Sequence, residues 1–219
     1  MIKIELDKVY KIDALDGMKQ LEDFGIDLIV TDPPYGIGET NEKNLSRGKW
    51  AEPKNYGHYE WDLKKITKPY FDEMFRVSKN QIIFGGNYYV DYLYNSSCWL
   101  IWDKDNGGSD FADCEMAWTS FNTAVRKFKW KWQGMLQEKP NWKEKRYHPT
   151  QKPVPVIEWI IKNYSKEGET ILDPFCGSGS ILVACKRLNR HFIGFDLVDE
   201  YVRVSEKRLN TIPVKLDIN

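Results

Sequence analysis

The chain has 219 residues, 42% hydrophobic and 29% charged, with 32 basic and 32 acidic side chains and no net charge. That is the composition of a soluble protein, most simply one domain with a real core. No apolar run approaches the roughly 18 residues that span a bilayer, and "MIKIELDKVY" carries charges where a signal peptide needs an apolar core, so a cytoplasmic location is expected.

In chain order, "KVYKI" at 8–12 is strand-like and "DLIV" at 27–30 is a short buried strand. Directly after it stands "DPPYGIG", residues 32–38. Neither Pro33 nor Pro34 can donate to a sheet ladder, so the strand must end there in a rigid loop that carries Asp32 and Tyr35. In open α/β sheets, ligands bind at such strand ends. Residues 36–62 lack periodicity, and so long a stretch inside a compact domain suggests a lid over that loop. "TKPYFDEMFRVSK" at 67–79 has helical spacing, and "QIIFGG" at 81–86 and "CWLIWDK" at 98–104 read as strands.

The middle, roughly 105–150, differs in character: a turn, "DNGGSD", then the strand-like "AVRKFKWKW". Residues 121–152 hold nine Lys or Arg against two Glu, a local balance of +7 that points to a polyanion partner. An extended "RKFKWKW" would place Arg126, Phe128, Trp130 and Trp132 on one face and Lys127, Lys129 and Lys131 on the other. The aromatic face suits packing on the protein and the lysine face suits phosphates; the competing reading is an ordinary half-buried strand with solvated lysines. Lys145 and Arg146 in "NWKEKRYHP" continue the positive charge.

The C-terminal third alternates again. "VPVIEWIIKNYS" is a helix, "ETILDPF" a strand, "GSGSILVACKRLN" a helix, "HFIGFD" a strand and "DEYVRVSEKRLN" a helix. This β-α order implies a mostly parallel sheet with helices on both faces. In "ILDPFCGSGS" a strand ends at Asp173, and Gly177 and Gly179 let backbone approach a ligand at a helix N-terminus. Nineteen residues beyond Gly177, Asp196 is placed to accept from ribose hydroxyls of an adenosine-containing cofactor. The dinucleotide fingerprint is incomplete, because its third glycine position is Leu182.

The four cysteines, Cys98, Cys114, Cys176 and Cys185, form no C-x-x-C pair, and His58, His148 and His191 are far apart. No metal site is expected, and reduced thiols are the plain reading. Cys98 and Cys185 read as small buried hydrophobes, and Cys176 is not read as a nucleophile.

"DPPY" with "DPFCGSGS", and "HPTQKPVPVIEWII" at 148–161 between them, resembles the signature set of S-adenosylmethionine-dependent DNA amino-methyltransferases of the permuted β group, with the catalytic motif first and the cofactor motif last. The resemblance implies a Rossmann-like α/β fold, doubly wound, with circularly permuted motif order and an inserted target-recognition region at 105–147 between a catalytic half, 1–104, and a cofactor half, 148–219. It implies that Asp13 and Ala14 hold the cofactor adenine, that Asp173, Pro174, Phe175, Gly177, Ser178, Gly179 and Ser180 form its cradle, and that Thr150 and Lys152 lie near its carboxylate. Asp13 as a helix N-cap and Lys152 as a solvated charge are the competing readings.

The chemistry needs such a site. An exocyclic amino group is a poor nucleophile because its lone pair is delocalised into the ring. Acceptors on its two N–H bonds, here the Asp32 carboxylate and the Pro33 carbonyl, direct that lone pair at the methyl group. Tyr35 can stack on the base, which must be flipped to be reached. The expected activity is transfer of a methyl group from S-adenosylmethionine to adenine N6 in double-stranded DNA, since relatives that act on cytosine N4 more often carry Ser in place of Asp32. Cytosine N4 is the second reading. A nicotinamide oxidoreductase leaves "DPPY" unexplained, and a silent DNA-binding module has no need of Asp32. A homodimer is the default assembly, and a cognate restriction enzyme is a partner the sequence leaves open.

Overall fold

The computed structural model describes residues 3–36, 65–107, 112–133, 136–139, 141, 143–147 and 150–213. The expected lid at 36–62 lies, apart from Gly36, outside the described residues, as do His58 and His148. In chain order the elements are β1 (Lys8–Lys11), α1 (Ala14–Met18), β2 (Ile26–Thr31), α2 (Lys68–Val77), β3 (Ser78–Phe84), β4 (Trp99–Asp103), β5 (Cys114–Thr119), β6 (Arg126–Lys129), β7 (Trp132–Gln133) and β8 (Leu136–Gln137). Then come α3 (Val154–Tyr164), β9 (Thr170–Asp173), α4 (Ser180–Arg187), β10 (His191–Asp196) and α5 (Asp199–Asn210).

Eight strands make one sheet in the order β1-β10-β9-β2-β3-β5-β4-β6, and β7 and β8 form a separate hairpin. Every pairing in the large sheet is parallel except the two made by β5. The central strands are apolar without alternation because both faces are covered. Successive side chains enter different cores. Leu28, Val30, Ile82, Ile171 and Phe192 meet α3 and α4 on one face, while Ile29, Ile83, Leu172 and Ile193 meet α1 and α2 on the other. α2 supplies Phe71, Met74 and Val77 at helical spacing, and α3 supplies Val156, Ile157, Ile160 and Ile161. Among the described residues no helix is long and apolar enough to cross a membrane.

Two boundaries differ from the sequence reading. The helix expected to run to residue 79 stops at Val77, where Ser78 turns extended and its hydroxyl donates to the Met74 carbonyl at 2.6 Å. β3 therefore starts three residues earlier than expected. The extended run expected over 126–132 also breaks: β6 ends at Lys129, and Trp132 belongs to the small hairpin. Within the stretch read as an insertion, β5 and β6 are strands of the main sheet.

The chain winds away from the middle of this sheet in both directions. From β2 it passes through α2 to β3, and from β9 through α4 to β10, whose far edge is completed by β1. β2 and β9 lie side by side, with Leu28 opposite Ile171 and Ile29 opposite Leu172. Their carboxyl ends form the topological switch point, where open α/β sheets bind ligands.

The missing third glycine of the cofactor turn has a physical answer. Its usual role is close helix-to-strand packing, and here the strand supplies the space. A Cβ on Gly194 of β10 would lie 2.5 Å from Cδ1 of Leu182 on α4. Gly194→Ala should therefore destabilise the fold by about 1–3 kcal/mol through overpacking. Urea unfolding checks this, and the loss should shrink in a Leu182→Ala background.

Candidate active site

A cavity of about 420 Å³ opens at the switch point, within the size range of small-molecule sites. Asp32, Pro34, Asp13, Ala14, Thr150, Lys152 and Asp196 line it. So do Asp173, Pro174, Phe175, Gly177, Ser178 and Ser180 of the glycine turn. Residues separated by more than a hundred positions thus share one wall. Pro33, Tyr35 and Gly179 are not among the lining residues.

The glycine turn is built around two carboxylates. Asp196 accepts from Gly177 N at 2.9 Å and from Val198 N at 2.7 Å, so it ties the turn to the end of β10. Burial nevertheless pushes its pKa up to about 6. Asp173 is fully buried, accepts from the Thr31 hydroxyl at 2.9 Å and from Phe175 N at 3.2 Å, and is raised by burial to about 8. Gly179, at φ 75°, caps α4 in the left-handed region, and a Cβ there would meet Ser205 Oγ at 2.7 Å. Burial also pushes the Cys176 thiol well up, which fits a packed side chain rather than a nucleophile.

Asp13 is the helix N-cap weighed for it, and it also lines the cavity. Its Oδ1 accepts from Leu15 N at 2.8 Å as the cap of α1, and its Oδ2 accepts from the Tyr70 hydroxyl at 3.1 Å. The Tyr70 ring in turn lies 5.9 Å from that of Phe175. Carboxylates at Asp13 and Asp196, with Phe175 and exposed backbone between them, offer acceptors for a ribose and adenine amino group beside an apolar wall. That donor and acceptor set fits S-adenosylmethionine.

Asp32 follows β2 directly and is held at both oxygens. The Tyr35 hydroxyl donates to Oδ1 and the Lys152 ammonium to Oδ2. Burial raises the Asp32 pKa, opposed by the charge of Lys152. Tyr35 is pushed well above the ordinary phenol range by burial, so it keeps the proton it donates. Its ring stacks on Tyr88 at 4.8 Å, and a Cβ on Gly85 would come within 2.1 Å of it. Tyr35 therefore orients Asp32, and one of its faces is already taken by Tyr88. Pro34 is fixed by its carbonyl, which accepts from the Tyr89 hydroxyl.

Lys152 is not a solvated charge. Its side chain is 7% exposed and pairs with both Asp32 and Glu115. Glu115 on β5 also meets Lys104 at 2.6 Å. Burial works against the Glu115 charge, but the two ammonium groups outweigh it and hold its pKa low. Sequence reasoning missed Glu115, along with Gln151, Glu144 and Arg208. Gln151 accepts from Tyr147 N and from the Ser178 hydroxyl and donates to Glu144. The Arg208 guanidinium donates to Ser178 O at 2.5 Å and to Glu144 at 3.1 Å. In the sequence, Gln151 stood inside a motif already singled out, whereas Arg208 looked like any basic residue on a helix surface.

The lysine face of β6 is partly spoken for. Lys127 pairs with Asp103 at 3.2 Å, and Lys129 and Lys131 pair with Asp105 at 2.9 and 3.5 Å. These exposed pairs are weak and exchangeable, so the expected open lysine row is instead a set of lysines shared with two carboxylates. The aromatic side packs inward, with Phe128 stacked on Trp159 of α3 at 5.2 Å. Arg126 and Lys145 are exposed, and Arg146 lies over the Trp132 ring at 5.9 Å.

A DNA methylase family model for N6 and N4 methyltransferases matches residues 103–207. The Type II methyltransferase M.HpaI of Haemophilus parainfluenzae is 32% identical over 90% of this chain and 72% of its own length. The chain belongs to the N6/N4 DNA methylase family. M2.LlaDCHI of Lactococcus lactis subsp. cremoris, a Type II methyltransferase, is 39% identical over 90% of this methylase and 87% of the relative. The solved M1.HpyAVI–SAM complex superposes with a TM-score of 0.59 at 25% identity, covering 93% of this chain and 98% of that one. PvuII DNA methyltransferase, described as cytosine-N4-specific, shares the fold with a TM-score of 0.61 at 14% identity, over 95% of this chain and 87% of its own. This methylase is thus an S-adenosylmethionine-dependent enzyme of DNA methylation with an α/β fold.

Removing the Arg208 clamp tests how far the glycine turn depends on it. Arg208→Ala takes the paired cation from the partly buried Glu144 and the donor from the Ser178 carbonyl, and should destabilise the fold by about 3 kcal/mol. The exposed Arg203→Ala should lose under about 1 kcal/mol in the same urea titration.

Proposed function

We propose that this methylase transfers a methyl group to adenine N6 in double-stranded DNA, with Asp32 as the acceptor that receives the amino group. The observation that carries the reading is the Asp32 carboxylate, half-buried at the end of β2 and lining the cavity that Asp173 and Asp196 also line. An aspartate rather than a serine before the two prolines favours adenine over cytosine N4 within this family. The Pro33 carbonyl is the second acceptor, because proline keeps its acceptor while losing its donor.

S-adenosylmethionine bound in the cradle supplies an activated methyl group. The residues of the chain then have three tasks. Asp13, Asp173, Asp196 and the turn from Pro174 to Ser180, with Ala14, hold the cofactor, and Thr150 lies toward its polar end. Asp32 would accept from the exocyclic N–H, turn the nitrogen lone pair toward the bound methyl group, and take the N–H proton that the methylated nitrogen gives up. Positioning carries most of the acceleration. Target recognition we assign to the basic stretch after β5, with Arg126, Lys127, Lys129, Lys131, Lys145 and Arg146 toward phosphates.

Asp32→Ala should abolish methyl incorporation into duplex DNA and leave S-adenosylmethionine affinity within about threefold, measured by tritium transfer and calorimetry. Retained activity would sink the role of Asp32. Digestion of the product to nucleosides separates the bases, with N6-methyladenine expected and N4-methylcytosine overturning the choice.

Cofactor affinity should also depend on pH. Ribose donors favour the ionised Asp196, whose pKa in the free protein is about 6. Binding is then strongest above that pH and weakens by up to about tenfold per pH unit below it. Flat affinity between pH 4.5 and 7 would remove Asp196 from the ribose.

A further inference from the structure

One buried charge has no part in the mechanism so far. Glu115 reaches the site from β5, and its buried Oε2 meets the Lys152 ammonium at 3.1 Å with no other partner among the described residues. One N–H of that ammonium is given to Oδ2 of Asp32, and the other two are free to turn toward a second acceptor. The other Glu115 oxygen pairs with Lys104 at 2.6 Å, which holds the carboxylate beside Lys152. The Oε2 acceptor is only partly satisfied, and it sits beside a donor able to reach it fully by a small rotation. Lys152 also lies over the Phe84 ring at 5.2 Å, an apolar flank that gives the ammonium no rival partner there.

The target amino group must reach the Asp32 carboxylate, whose two oxygens Tyr35 and Lys152 now engage. We propose that Glu115 is a positioning residue that receives the Lys152 ammonium when the target amino group takes its place on Asp32. Lys152 then has two seats, Asp32 in the free enzyme and Glu115 in the substrate complex, and the charge is never left unpaired. Without Glu115, entry of the amino group would strand a buried cation, which is strongly unfavourable. The inference rests on the reading of Asp32 as the acceptor. Around Asp32 the charged and titratable groups are Lys152, Glu115, Tyr35, Asp173 and Tyr89.

The test is the pH dependence of kcat on duplex DNA for Glu115→Gln and Lys104→Gln, beside calorimetric cofactor binding and the unfolding midpoint. Glu115→Gln removes a negative charge and the second seat, so kcat should fall by about tenfold or more. Its acid limb should move to lower pH by about half a unit or more, because Lys152 then acts undivided on Asp32. Lys104→Gln strengthens the pull of Glu115 on Lys152 and should move the limb the opposite way. Cofactor affinity should change by less than about threefold in both. A merely structural Glu115 would lower the unfolding midpoint and leave both limbs in place, and that result overturns the proposal. Should Glu115→Gln fail to fold, Lys104→Gln decides alone: an upward limb supports the second seat, an unmoved one ends it. Asp32→Ala separates the two levels. If that variant stays active, the reading of Asp32 fails. If it is inactive while the limbs do not move, only the role of Glu115 fails.

Discussion

Burying the Lys152 ammonium forces three distant parts of the chain into one place, because a cation shielded from water must be met by carboxylates within about 4 Å. Asp32 comes from the end of β2, Glu115 from β5, and Lys152 from the segment leading into α3. These belong to different regions of the sequence, so the triad can form only after β5 has inserted between β3 and β4. The antiparallel strand is therefore more than sheet filling. It delivers the charge that allows a lysine to sit against the carboxylate proposed to receive the amino group without neutralising it completely.

The two cofactor-side carboxylates obey a different constraint. Each is desolvated, and each is offset by donors from the backbone or a hydroxyl rather than by a cation: Gly177 and Val198 for Asp196, Thr31 and Phe175 for Asp173. Neutral donors compensate less than a charge does, which is why both titrate above the ordinary carboxylate range. A site for a cationic sulfonium gains from this arrangement. Asp196, ionised above about pH 6, leaves negative potential in the cavity, whereas Asp173, raised to about 8, stays neutral at pH 7.

The sequence made the strand ends legible because each ligand-facing carboxylate ends an apolar run: "DLIV" before Asp32, "TIL" before Asp173, "HFIGF" before Asp196. Helix periodicity located α2 to α5 for the same reason, since a two-sided core writes itself into the spacing. Glu115 was hidden. "CEMAWT" sits in a stretch whose charge and glycines read as an insertion, and nothing local says that it closes the sheet. The sharing of the β6 lysines was hidden too, because it depends on register. β6 pairs parallel with β4 and sets Lys129 opposite Asp103. A pairing partner is a tertiary fact, and a period of two along one strand carries no trace of it.

The permuted order is tolerated because no covalent link crosses the switch point. β2 and β9 are neighbours through ladder pairs, with Thr31 donating to Asp173 across a separation of 142 residues. Loop-closure entropy grows only with the logarithm of length, so joining the halves in either order changes the entropy of closure little. What must be kept is that strands of both halves end at the same level, so that Asp32 and Asp173 open into one cavity. The Thr31 hydroxyl enforces this at atomic resolution: a shift of either strand by one residue would break its bond to Asp173 and turn Asp32 to the other face of the sheet.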